Sequence, residues 1–129
     1  IMPSTLVSGA VTDVPFVVDA AGVRTDSALP TTNVAYAKGD LLILSASNVL
    51  TLATDPAVWD VIAADNVTAA QSVIHAAAGR EIPVYTAGAF NVDQCRIGGV
   101  VLASNQKAAA RAKAIKNGYE LRKVVGGAV

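Results

Sequence analysis

Aromatic residues are scarce in this chain: two Phe, three Tyr and one Trp, 5% of 129 residues. Deep ligand pockets draw heavily on aromatic lining, so a substrate-enclosing cavity is not expected. Cysteine is reduced to Cys95 alone, which excludes an intrachain disulfide and leaves stability to packing or assembly. Histidine is reduced to His75, with no second His or Cys at metal-ligand spacing, so no zinc-type site is expected. No window approaches the ~18 consecutive apolar residues of a membrane-spanning helix. The opening Ile1-Met2-Pro3-Ser4 has neither a basic nor an apolar signal region, and no secretory signal is read there.

What the chain does have is small and β-branched apolar residues. Hydrophobic content is 53% against 16% charged, and mean hydropathy is +0.47. Alanine and valine dominate, a composition suited to pleated sheet and a thin core, and part of the apolar surplus is expected to meet a partner. The length fits one domain. Formal charge is zero overall but unevenly spread: residues 1–106 carry four basic and nine acidic side chains, and residues 107–129 carry six basic and one acidic.

Residues 1–37 are broken by Pro3, Pro15 and Pro30 and read as an extended arm with short strands, because proline lacks a donor and biases its predecessor to extended geometry. The body then spans 38–129. Lys38-Gly39-Asp40 opens Leu41-Leu42-Ile43-Leu44, and Ser45-Ala46-Ser47-Asn48 links it to Val49-Leu50-Thr51-Leu52, which together read as a β-hairpin. Val61-Ile62-Ala63-Ala64 and Arg80–Thr86 read as further strands, with Pro83 placing the latter at an edge or at its first residues. Gly88 allows a bulge or bend that re-aims Phe90. Ala69–Ala78 reads as a loop or edge strand for want of capping.

One helix is expected, from an N-cap at Ser104 to Asn117, with Gly118 at its end and a narrow apolar stripe of Ala108, Ala112 and Ile115. Tyr119–Val125 alternates and reads as a closing strand.

The candidate chemistries are weak. Cys95 with His75 could make a thiol nucleophile and base, but Asp93-Gln94-Cys95-Arg96-Ile97 carries no glycine-framed oxyanion turn, and a buried structural thiol is the stronger reading. Asp55, Asp60 and Asp65 recur at a five-residue step that matches neither a helix face nor an EF-hand loop, so no metal is expected. The glycines make no phosphate-binding turn, and no cofactor or small-molecule substrate is expected. Lys107, Arg111, Lys113 and Lys116 could meet phosphates, but without interleaved aromatics a solvated helix face serves as well, and free nucleic acid is not expected as a partner.

Val61-Ile62-Ala63-Ala64-Asp65-Asn66-Val67 followed by Val84-Tyr85-Thr86-Ala87-Gly88-Ala89-Phe90-Asn91, after a Lys38-Gly39-Asp40 entry and before a late glycine-ended helix, resembles the head decoration (capsid cement) proteins of tailed phages. The resemblance covers about two thirds of the chain. It implies a β-rich α+β fold, with a small barrel or tulip-like body, and a structural virion protein with no catalytic activity. Such a protein would coat the outer capsid surface as a homotrimer at threefold or quasi-threefold sites, with the major capsid protein as partner.

Within that frame Pro3, Leu6, Val7, Val11 and Phe16 are the expected coat-binding arm, which could add a strand to a coat-protein edge, and Trp59, Tyr85 and Phe90 are expected to pack the body or the trimer. A different class, a surface-displayed host or glycan-binding module, would instead show exposed aromatic platforms.

Overall fold

A computed structural model describes residues 16–123. Eight strands and two helices follow the order β1 (Val17–Pro30), β2 (Leu41–Leu44), β3 (Val49–Leu52), β4 (Val61–Ala63), α1 (Ala69–Ala78), β5 (Ile82–Asn91), β6 (Arg96–Ile97), β7 (Val100–Val101), α2 (Ser104–Asn117) and β8 (Tyr119–Arg122), with a 3-10 turn at Val92–Gln94. The fold is β-rich α+β. Six strands form one sheet in the order β1-β3-β2-β4-β5-β8, and β6 and β7 form a separate hairpin.

β1 also pairs with β5, so the pairings run in a circuit from β1 through β3, β2, β4 and β5 back to β1. The junctions β1–β3 and β2–β4 hold by two residue pairs each, which closes the circuit unevenly. The result is a six-stranded sheet with no clear barrel, in place of the small barrel or tulip that the resemblance implies.

Alternation sends neighbouring side chains to opposite faces. Leu41, Ile62, Tyr85 and Phe90 join one cluster with Phe16, Trp59, Tyr119 and Leu121, roofed by Leu102, Ala110 and Ala114. Leu42, Val61, Ala63 and Val84 turn the other way and join Ala28, Tyr36, Leu50, Val67 and Ile82. β2 and β4 are therefore apolar without interruption, because both of their faces are covered.

Several expectations are corrected. The arm of residues 1–37 is not an arm over its second half: β1 runs antiparallel along β5 from Val17↔Phe90 to Ala28↔Ile82, and Tyr36 pairs with Val67. The strand containing Pro83 offers no free edge, because β5 is flanked by β1, β4 and β8; Pro83 is its second residue. The main bulge lies in β1, where the stretch from Asp19 to Arg24 opposes only Ala89 to Ala87. Gly88 makes room for it: at φ +137°, an added Cβ would fall 2.9 Å from Val23 Cγ2 and 3.1 Å from Val23 Cα.

Ala69–Ala78 is a helix, not a loop or edge strand. Thr68 is its N-cap: Thr68 Oγ1 accepts from Gln71 N–H at 3.1 Å, and Gln71 Oε1 accepts from Thr68 N–H at 2.9 Å. That reciprocal pair is the Ser/Thr-x-x-Glu/Gln box, written openly in Thr68-Ala69-Ala70-Gln71.

The second helix starts one residue earlier than read, with Ala103 at the N-cap and its N–H donating to Gln106 Oε1 at 2.8 Å. Its expected stripe is turned outward: Ala108, Ala112 and Ile115 are exposed, and Ala110 and Ala114 are buried. In so alanine-rich a helix several faces are equally apolar. Contact with the core selected the one whose small side chains let the backbone approach closely.

Candidate functional site

The sequence-predicted residues divide between core and terminus. Pro3, Leu6, Val7 and Val11 lie outside the described residues. Phe16, read as part of a coat-binding arm, is 8% exposed and its ring stacks on Phe90 at 5.1 Å. A side chain held inside the body cannot also anchor a coat protein.

Trp59, Tyr85 and Phe90 meet in the same cluster. Phe90 lies 4.7 Å from Tyr85 and 6.2 Å from Tyr119, and Tyr119 lies 5.1 Å from Trp59, all as ring-centroid separations. Tyr119 Oη donates within this group, with Tyr85 O at 2.7 Å and Asp60 O at 3.1 Å as its acceptors. The three residues therefore pack the body, which leaves them no surface for a trimer contact.

All six aromatic side chains of the chain, Phe16, Tyr36, Trp59, Tyr85, Phe90 and Tyr119, are buried.

Cys95 is fully buried, and its thiol donates weakly to Asn91 O at 3.7 Å. Burial first, and the Asp93 charge second, push the thiol from its ordinary value near 9 up to about 12. A thiolate nucleophile at neutral pH is not available from such a group. Tyr119 is also raised, by burial and then by the Asp60 charge.

Both shifts have the same sign: the folded state holds the proton more tightly, so stability is complete below about pH 9 and falls as pH rises toward the folded-state values. Urea midpoints measured between pH 8 and 11 are expected to be level at first and then to fall, with Cys95→Ala shallowing the onset. A wild-type midpoint constant to pH 11 would contradict this.

The three aspartates do not converge. Asp55 Oδ1 accepts from Ala57 N–H at 2.9 Å and Asp65 Oδ1 from Asn66 N–H at 2.8 Å, both local contacts, whereas Asp60 Oδ2 accepts from Leu44 N–H of β2 at 2.9 Å. Among the described residues no group of three His, Cys, Asp or Glu side chains could hold a metal ion. None of the helices among them is long and apolar enough to cross a membrane.

The basic C-terminal region is partly neutralised. Asp93 pairs with Lys107 at 2.8 Å and Lys123 at 3.8 Å, and Arg122 pairs with Glu120 at 2.9 Å. The Lys107 hydrogen bond leads in holding the Asp93 carboxyl below its usual range.

Among the described residues, two open hollows lie on the surface. One, of about 310 Å³, runs between the β1 bulge and β8, floored by Gly22, Gly88 and Gly118. The other, of about 260 Å³, lies beside α2 under Lys107, Arg111 and Lys123. Asp93 and Ser104 also line the second hollow, where Lys107 Nζ is taken up by Asp93 Oδ1 at 2.8 Å.

The residues that sequence reasoning missed are of two kinds. Asp40 is a fully buried carboxylate: Oδ2 accepts from Ala37 N–H and Oδ1 from Gly99 N–H, both at 2.8 Å. It latches the β6–β7 hairpin to the body, and the turn signal Lys38-Gly39-Asp40 gave no hint of a partner 59 residues away. The other kind is exposed apolar surface: Val58 53%, Val73 43%, Ile74 61%, Val100 68%, Val101 48% and Ile115 76%. These sit on a loop, on both helices and on a hairpin, and none of them lines either of the two hollows. No protein family, curated protein or solved structure matches the chain.

Proposed function

We propose that this chain is a structural virion protein that coats the outer surface of a tailed-phage capsid and cements neighbouring copies of the major capsid protein. It acts without catalysis, cofactor or metal. Three copies gather at threefold or quasi-threefold sites, where symmetry repeats each weak contact and multivalency strengthens attachment.

The observation that carries this reading is where the apolar side chains lie. Every aromatic is spent inside the body, while valines and isoleucines are left exposed on a loop, both helices and a hairpin, outside the two hollows described. Exposed apolar side chains outside a pocket favour a broad macromolecular surface over a small ligand. The same burial leaves a glycan-binding module without the aromatic platform that it would need.

The coat-binding arm is narrowed to residues 1–15, with Pro3, Leu6, Val7 and Val11 as its anchors, because Phe16 and β1 belong to the sheet. The contacts between copies fall to exposed positions such as Val100 and Val101, since Trp59, Tyr85 and Phe90 are enclosed.

The test is to add the purified chain to expanded, undecorated heads and image them. New density at threefold positions is expected, and deleting residues 1–15 is expected to weaken the affinity for the heads about tenfold, equivalent to ~1.4 kcal/mol per copy. Heads without added density would refute the reading, and undiminished binding by the deletion would refute the clamp.

A further inference from the structure

We infer that α1 is a self-association surface, through which two copies of the chain pack antiparallel about a twofold axis using Ala70, Val73, Ile74 and Ala77. The inference stands apart from the capsid reading.

The helix is mounted with its polar side inward. Its buried side chain is Ser72, whose Oγ accepts from Val34 N–H at 3.0 Å and donates to Ala69 O at 2.6 Å. Ala69, His75 and Ala76 are half-buried beside it. The two bulkiest aliphatic side chains of the helix point the other way, Val73 at 43% and Ile74 at 61% exposure, with Ala70 and Ala77 exposed alongside. These four positions follow i, i+3, i+4, i+7 and make one apolar stripe of the kind that ordinarily faces a core.

Two properties of the stripe select a second copy as its occupant. First, it reads the same in both directions: small, large, large, small, at spacings of three, one and three residues. Rotation by half a turn therefore sets Val73 and Ile74 of one copy against those of the other, and each Ala70 against an Ala77. That is the self-complementarity of an isologous contact. Alanine at both ends permits the 8–10 Å approach of packed helices.

Second, the charges suit this pairing. None of the ten helical residues is Asp, Glu, Lys or Arg, so two copies bring no like charges together. Asp65 precedes the helix and Arg80 follows it, both exposed. Antiparallel packing brings Asp65 of one copy toward Arg80 of the other and opposes the two helix dipoles favourably.

The contact is small. One helix face covers a few hundred Å² per copy, below the roughly 800 Å² per partner of a standard interface. A dissociation constant on the order of 0.1 mM is therefore expected, a strength that matters where copies are already crowded together.

Sedimentation of the full chain from roughly 10 µM to 1 mM is expected to show mass rising from monomer toward dimer. Ile74→Asp should weaken this at least tenfold while leaving the circular dichroism and thermal midpoint of the monomer unchanged, because the position faces solvent. Disulfide trapping fixes the orientation: a mixture of Ala70→Cys and Ala77→Cys should cross-link, and neither variant should cross-link with itself. The native Cys95 is buried and does not compete.

A wild-type chain monomeric at every concentration overturns the inference, as does self-trapping by Ala70→Cys, which requires parallel helices. It is equally overturned if dimers appear only after residues 1–15 are deleted, since the stripe is then covered by the chain's own first residues. An assembly indifferent to Ile74→Asp also counts against it, because other surfaces then make the contact.

Discussion

Phe90→Ala is expected to lower unfolding free energy by roughly 3–5 kcal/mol, the cost of emptying a large aromatic site in a packed core. Phe90 is fully buried, and its ring lies 5.1 Å from Phe16, 4.7 Å from Tyr85 and 6.2 Å from Tyr119. The cavity cannot readily close. Phe90 belongs to the middle strand of three, paired with Val17 on one side and Leu121 on the other, so its backbone is fixed from both directions. For a chain of this size the thermal midpoint should fall by about 10–20 °C. Phe90→Leu keeps most of the volume and should cost about 1–2 kcal/mol. Calorimetry decides the matter: an alanine variant less than ~1 kcal/mol below wild type would mean that the aromatic cluster is not the centre of the core.

The second large effect is expected at the latch made by Gly39 and Asp40. Asp40→Ala removes a buried carboxylate that two backbone donors require, and a loss of roughly 2–4 kcal/mol is expected. The figure is held down by Gly99 being exposed, so that its N–H can turn to water. Asp40→Asn should recover only part, because its amide sets an N–H against one of the same two donors.

Gly39→Ala should be comparably harmful for a different reason. Gly39 has φ +95°, and a Cβ there would fall 2.6 Å from the backbone oxygen of Gln94. The strand segments must then part, although Gly39 N–H donates to Ala63 O and Gly39 O accepts from Arg96 N–H, both at 2.9 Å. Amide exchange should reveal the consequence: protection at Arg96 and Leu102, whose N–H groups donate to Gly39 O and Cys95 O, is expected to fall before that of β5. Unchanged protection at those two amides in Asp40→Ala would show that the hairpin is held by something else.

Strand positions in the body were legible because their signals are local. Leu41–Leu44 and Val61–Ala63 are continuous apolar runs, each opened by an Asp, Val49–Leu52 is broken only by Thr51 and follows Asn48, and each became a strand. The capping box of Thr68-Ala69-Ala70-Gln71 is present in the sequence, yet the alanine and valine around it led to the loop or edge-strand reading that the structure corrects. The long first strand was not. Val17–Pro30 contains Gly22, Asp19 and Asp26 and shows no clean alternation, since its order comes from lying along β5 with a bulge between. Likewise the inward face of α2 could not be read from a run in which Ala108, Ala109, Ala110, Ala112 and Ala114 compete.

By itself the sequence determined a β-rich chain with a small aromatic budget, no disulfide, and a late helix bounded near Ser104 and Gly118. These follow from composition, periodicity and capping, which act over a few residues. Only the tertiary structure decided that Phe16 belongs to the core, that Asp40 holds Gly99, and that Val73, Ile74 and Ile115 face outward. Those outcomes depend on which segments meet across the sheet. A side chain's burial is set by partners distant in the chain, and a local pattern carries no record of them.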